Sequence, residues 1–193
     1  MYIISFMREP LREWRDVQGY NLLELLYTDL KRWNFSFQHM VQLSRLNIQL
    51  EKSKQQIHMF ERSVQNNRFC FGEVAHQGKM LTDVEHFILD QWYQWIANNT
   101  DISLDLIVYL QSTPEVVYQR LQKRSRQEES TIPLEYLQQV HEAHENWLVR
   151  HIPEAPPAPV LILDANADLE SMYQQFKQNQ DLILGEDKLQ LKC

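Results

Sequence analysis

The sequence predicts an α/β fold in which a parallel sheet is flanked by helices. Short runs rich in β-branched and aromatic residues alternate with longer stretches of helical apolar spacing. The clearest runs are apolar nearly throughout, the pattern of strands buried on both faces. No internal repeat or low-complexity linker divides the 193 residues, so a single domain is expected.

Tyr2 to Phe6 reads as a first strand ending near Glu9-Pro10. Leu22 to Leu30 carries helical spacing, and a longer helix follows from Phe35 to about Lys52. Gln56 to Phe60 is a second strand running into Glu61-Arg62-Ser63. Val64 to His76 and Val84 to Asn98 read as helices, the latter with Trp92, Trp95 and Ile96 inward. Leu104 to Leu110 (LDLIVYL) is the clearest strand; Thr113 then caps a helix that opens on Pro114. Pro133 opens a helix through about Arg150, and a proline-rich loop spans Pro153 to Pro159. Val160 to Leu163 is the last strand, and Leu169 to Gln180 the last helix.

The formal net charge is -7, which argues against DNA or RNA polymers as partners, since those demand a basic surplus or face. Two cysteines, Cys70 and Cys193, make neither a disulfide framework nor a zinc pattern and fit a reducing compartment. No apolar stretch is long enough to span a bilayer, and Met1 to Met7 followed by Arg8 and Glu9 is not a targeting peptide. A soluble intracellular protein without membrane partners is expected.

In a parallel α/β sheet, ligands sit at the carboxyl ends of the strands. Glu9-Pro10, Glu61-Arg62-Ser63 and Gln111-Ser112-Thr113 fall there. A carboxylate and a Glu-Arg pair on one crevice suit a general base, a metal ligand and an anion clamp. They equally suit ordinary polar loops, and position alone leaves both readings open. His141, Glu142, His144 and Glu145 stand at a spacing other than H-E-x-x-H, so zinc is not expected.

Seven segments in register carry a family resemblance. They are EPLREW (Glu9 to Trp14), NLLELLYTD (Asn21 to Asp29), FQHMVQLSR (Phe37 to Arg45) and FERSVQNNRF (Phe60 to Phe69). QRLQKRSRQEES (Gln119 to Ser130), IPLEYL with HEAHENWL (Ile132 to Leu148) and VLILDAN (Val160 to Asn166) complete the set. Their order and spacing resemble the deoxynucleoside kinase family from about Ile4 to Gln180. The resemblance implies a P-loop-kinase-like domain over residues 1–186 with a tail at 187–193. It also implies transfer of the ATP γ-phosphoryl to a deoxynucleoside 5′-hydroxyl, with Mg²⁺, and commonly a homodimer. Cytoplasm and mitochondrion both stay open.

By the same resemblance, Glu9 is the general base, and Arg62, Arg124 and Arg126 contact the transferred phosphate, the last two from a basic lid that includes Arg120 and Lys123. Glu61 would hold Mg²⁺. Trp14, Phe37, Val41 and Phe71 would pack against the nucleoside, and Gln38 would meet the base edge with its amide. Tyr27 and Glu129 would hydrogen-bond the sugar 3′-hydroxyl, and Asp168 lies in the loop that meets adenine.

Two departures qualify the resemblance. Relatives carry a strand, a G-x-x-x-x-G-K-[ST] loop and a helix ahead of the segment matching Tyr2 to Pro10, and this sequence starts at that segment. None of the four glycines, Gly19, Gly72, Gly78 and Gly185, begins such a pattern, so the expected fold lacks the first strand, P-loop and first helix, with weak ATP binding. An incomplete piece of an ordinary kinase and a non-catalytic nucleoside-binding relative then compete. The second departure is at Arg45 and Asn67. Pyrimidine-leaning members tend to have Met and Ala there, and deoxycytidine and deoxyguanosine kinases Arg and Asp, which points to broad specificity including cytosine or purine bases.

Overall fold

The computed structural model describes residues 3–52, 54–129 and 132–186. The tail 187–193 with Cys193, Tyr2 at the start of the expected first strand, and Ser130 lie outside the described residues. The chain divides into two compact units, Met1–Ile102 with Ser125–Ile132, and Ser103–Arg124 with Pro133–Cys193. No described helix is long and apolar enough to cross a membrane.

In the first unit, β1 (Ile4–Met7) pairs in parallel with β2 (Ile57–Phe60), from Ile4 opposite Ile57 to Met7 opposite Phe60. Between them run α1 (Leu11–Arg15), α2 (Leu22–Thr28) and α3 (Leu30–Leu50). Asp29 sets the boundary between α2 and α3, which the sequence expectation placed between Leu30 and Phe35. Its extended backbone ends α2, its N–H bonds Leu25, and its carboxylate accepts from Arg32 N to cap α3. Trp14, Leu23 and Val41 form a buried cluster with Leu11, Tyr27, Phe37 and Met40 against it. Trp14 is pinned there by donating its indole N–H to Ser44 Oγ at 2.9 Å.

After β2, Ser63 caps α4 (Val64–Asn66), which widens into a π-helical segment at Asn67–Gly72 and tightens again into α5 (Glu73–Gln77). Widened turns of this kind are frequent at functional sites. A capping box between Thr82 and Glu85 starts α6 (Asp83–Asn99). The phase of α6 corrects the sequence expectation. Leu89, Tyr93 and Ile96 are buried, whereas Trp92 and Trp95 are 52% and 54% exposed. Aromatic weight had drawn the inward stripe one step too far around the helix.

The second unit pairs β3 (Ile107–Gln111) with β4 (Val160–Asp164), again in parallel. Around them lie α7 (Pro114–Arg124), α8 (Leu134–His144), α9 (Leu169–Gln178) and α10 (Gln180–Ile183). Pro133 is the extended residue before α8 and not its first helical residue. Trp147, Leu148 and Leu163 are buried here. Glu145 accepts from Tyr109 Oη and Gln111 Nε2 at 2.9 and 2.8 Å. Glu142 pairs with Arg150. These two carboxylates of the set weighed for zinc thus serve local bonds.

The strands pair in parallel with helices between them, as the sequence predicts, but in two separate pairs. Apolar composition signals that a strand is buried; it carries no record of which strand lies beside it.

Candidate active site

Parallel pairing brings the carboxyl ends of β1 and β2 together, and Glu61 N donates to Met7 O at 2.9 Å. Glu9 lies just beyond one strand and Arg62 just beyond the other. Arg62 Nη1 donates to Glu9 Oε2 at 2.8 Å, and Arg45 Nη2, reaching in from α3, donates to Glu9 Oε1 at 2.5 Å. One carboxylate is therefore held by two guanidiniums. Arg62 does this from a left-handed backbone, φ 63°, a conformation costly for a side chain this large and typical of functional positions.

The three charges differ in exposure. The Arg45 side chain is 3% exposed and that of Glu9 9%, whereas Arg62 is 44% exposed. Burial pushes the Glu9 carboxyl up, but Arg62 and Arg45 together outweigh it and hold the group below the usual carboxylate value. Burial brings Arg45 down to about 10, opposed by Glu9, so it stays cationic at neutral pH. Both guanidiniums also sit over the Phe71 ring, at 5.6 and 5.0 Å from its centroid. The trio keeps one net positive charge, which favours an arriving anion.

Helical spacing puts Gln38, Val41 and Arg45 on one face of α3, all buried. That face meets the π-helical segment, where Asn67 Nδ2 donates to Gln38 O at 3.5 Å. Phe37 stands edge-on to Trp14 at 5.5 Å. Elsewhere in the first unit, Glu129 accepts from Arg126 at 3.0 Å, and neighbouring Glu128 accepts from Arg15 at 2.7 Å. Tyr27 is half-buried and Glu61 exposed. Arg124 and Asp168 belong to the second unit. Arg124 is exposed at the end of α7, and Asp168 caps α9 by accepting from Ser171 N at 2.8 Å. Arg120 is committed to the carbonyls of Ala165 and Ala167 at 2.6 and 3.1 Å.

Against known proteins, a family model described as deoxynucleoside kinase matches residues 2–186. The chain belongs to the deoxynucleoside kinase family. It is 40% identical to human mitochondrial thymidine kinase 2, the match covering 94% of this chain and 68% of that protein. It is 33% identical to mitochondrial deoxyguanosine kinase of Xenopus laevis, over 86% of this chain and 73% of the relative. Human deoxycytidine kinase is also 33% identical, over 87% and 76%.

For a deoxynucleoside kinase, the feature that sequence reading missed is the bond from Arg45 to Glu9. The two lie 36 positions apart, and no local pattern announces the pair. A second cluster also went unremarked. Glu73, His76 and His86 bring metal-ligand atoms within 4.8 Å of one another. Glu73 already accepts from Arg68 and His86, and His76 is bonded to Asp83 at 2.8 Å, so ion pairing accounts for the group. The Glu-x-x-His spacing at Glu73 and His76 was the available signal.

Proposed function

We propose that this chain transfers the γ-phosphoryl group of ATP to the 5′-hydroxyl of a deoxynucleoside. The observation that carries this reading is Glu9, held between Arg45 and Arg62 at the ends of two parallel strands. Its carboxylate stays charged at neutral pH and accepts a hydrogen bond from the sugar hydroxyl. In a loose phosphoryl-transfer transition state the proton leaves late, so a weakly basic carboxylate suffices. Arg62, partly exposed beside it, stabilises charge on the transferred group. Arg124 and Arg126 contribute further positive charge. Mg²⁺ supplies charge neutralisation on the phosphate oxygens when bound, and Glu61 is an exposed, hard oxygen ligand suited to hold it.

The nucleoside lies against α3 and the π-helical segment, with Gln38 at the base edge and Phe71 at its face. Trp14, Phe37 and Val41 back that wall. Tyr27 and Glu129 take the sugar 3′-hydroxyl, and Asp168 stands near the donor's adenine. Residues 1–186 act as one kinase domain in an intracellular protein.

The active form is a homodimer. An apolar groove between α3 and α6, lined by Trp33, Leu43, Trp92 and Trp95, supports this, because three of those side chains are more than half exposed. Patches of this kind are normally covered by a partner.

The test is phosphorylation of all four deoxynucleosides by ATP and Mg²⁺, alongside calorimetric binding of each nucleoside. Turnover abolished by Glu9→Gln supports the reading. Nucleoside binding without turnover would instead mark a non-catalytic relative.

A further inference from the structure

Residues Ser125–Ile132 belong to the first unit, although the chain before and after them belongs to the second. Ser125 makes the change of course with a left-handed backbone, φ 51°. A 3₁₀ turn follows at Gln127–Glu129, packed against α2, and Ile132 is buried beyond it. A single turn of this kind has poor internal hydrogen bonding, so its direction is set by what it is tied to.

Arg15, the last residue of α1, ties it down with two bonds. Its Nε donates to Glu128 Oε1 at 2.7 Å and its Nη2 to Glu128 Oε2 at 3.2 Å. A fork of this kind fixes the orientation of the carboxylate as well as its position. The platform beneath Arg15 is firm, because neighbouring Trp14 is buried and bonded to Ser44. Successive side chains of a 3₁₀ turn point about 120° apart. With Glu128 turned to Arg15, Glu129 is therefore directed elsewhere, into a buried position where Arg126 donates to it at 3.0 Å. Arg15 is 39% exposed, and an ion pair so open to water adds little to global stability. Its consequence lies in where it points Glu129.

Resting on the reading of Glu129 as a partner of the sugar 3′-hydroxyl, we propose that Arg15 is a positioning residue for that contact, aiming Glu129 by clasping Glu128. The same short helix reaches the other end of the sugar. α1 begins directly after Glu9-Pro10, with Glu13 N and Trp14 N donating to Pro10 O at 2.9 and 3.3 Å. Glu9 stands ahead of α1 at the 5′-hydroxyl, and Arg15 at its far end acts on the 3′-hydroxyl through two adjacent carboxylates. One rigid piece thereby sets the sugar at both ends. Arg15 meets neither base nor phosphate in this arrangement, so its loss is felt at the 3′-hydroxyl alone.

The experiment is titration calorimetry of the full chain with thymidine and deoxycytidine, each beside its 2′,3′-dideoxy counterpart, which lacks the 3′-hydroxyl. In the parent, loss of that hydroxyl is expected to weaken binding by about tenfold. Arg15→Ala should bring the two members of a pair to within about threefold of each other, with the dideoxynucleoside affinity unchanged. Arg15→Lys keeps a point charge without the fork and restores part of the ratio. Glu128→Gln shrinks the ratio in the same way, and it decides the matter should Arg15→Ala fail to melt cooperatively. Equal weakening of both members, or a ratio that Arg15→Ala leaves intact, marks a merely structural ion pair and overturns this inference, with the kinase reading left standing. A parent that binds both members equally overturns it too. Binding of none of the four nucleosides overturns both.

Discussion

Arg45 and Glu9 form an ion pair at 2.5 Å with both side chains more than nine-tenths buried. Removing one member of such a pair strands the other charge in a poorly solvated place. Arg45→Met is therefore expected to destabilise the fold by about 3–5 kcal/mol, reduced to the extent that Arg62 still compensates Glu9. Urea denaturation of the variant against the parent measures it. A change below about 1 kcal/mol would mean the pair contributes nothing net.

Glu9→Gln keeps the shape and one acceptor oxygen but removes the charge and turns an amide N–H₂ toward one of the two guanidiniums. Turnover is expected to fall by about 10²- to 10⁴-fold, while the nucleoside dissociation constant changes little. Steady-state kinetics and calorimetry separate the two. An equal loss in binding would recast Glu9 as a binding group.

Ser44→Ala removes the acceptor that the Trp14 indole N–H meets among the described residues. The cost is expected to be about 1–3 kcal/mol, more than deletion of a hydroxyl alone would give. Far-ultraviolet circular dichroism followed through a urea melt of the variant and the parent reports it.

His76 and His86 stack with ring centroids 4.1 Å apart. Burial lowers the His86 pKa, and the His76 and Arg68 charges lower it too, against Glu73, which raises it. The unfolded chain therefore binds a proton more readily than the folded one. Stability from this group is present above the unfolded value of about 6.5 and is lost as pH falls through the lower folded value. Melting temperature should drop between pH 7.5 and 5, and His86→Gln should flatten that drop. An unchanged slope would place the pH dependence elsewhere.

Trp92→Asp together with Trp95→Asp places charge on an exposed apolar face. If that face joins two copies, sedimentation velocity should show the double variant as a monomer with unchanged far-ultraviolet circular dichroism. A dimer surviving the change would move the interface off α6.

The parallel direction of the strands and the place of Glu9 and Arg62 at strand carboxyl ends were legible in the sequence. Both follow from local apolar runs and from where a strand ends. The limits of the reading have physical causes. Asp29 looked like a residue inside a helical pattern, because a carboxylate that caps one helix while closing another leaves the periodicity intact. Trp92 and Trp95 looked like core, because burial was assigned by residue type and the helix phase was set by Leu89, Tyr93 and Ile96. The roles of Arg45 and Asn67 depended on contacts across 36 and 29 positions, and one-dimensional spacing does not encode those.

The π-helical segment Asn67–Gly72 finally bears on how this protein tolerates change in length. Such a segment is an α-helix with one residue to spare. Losing a single codon there would restore ordinary winding and leave the helix downstream in place, while the side chains inside the segment change face. Phe71 would swing from beneath the two guanidiniums, and Glu73 would keep its ion pair with Arg68. The site is thus recorded partly as a count of residues, which makes this stretch tolerant of conservative exchange and intolerant of a one-residue deletion.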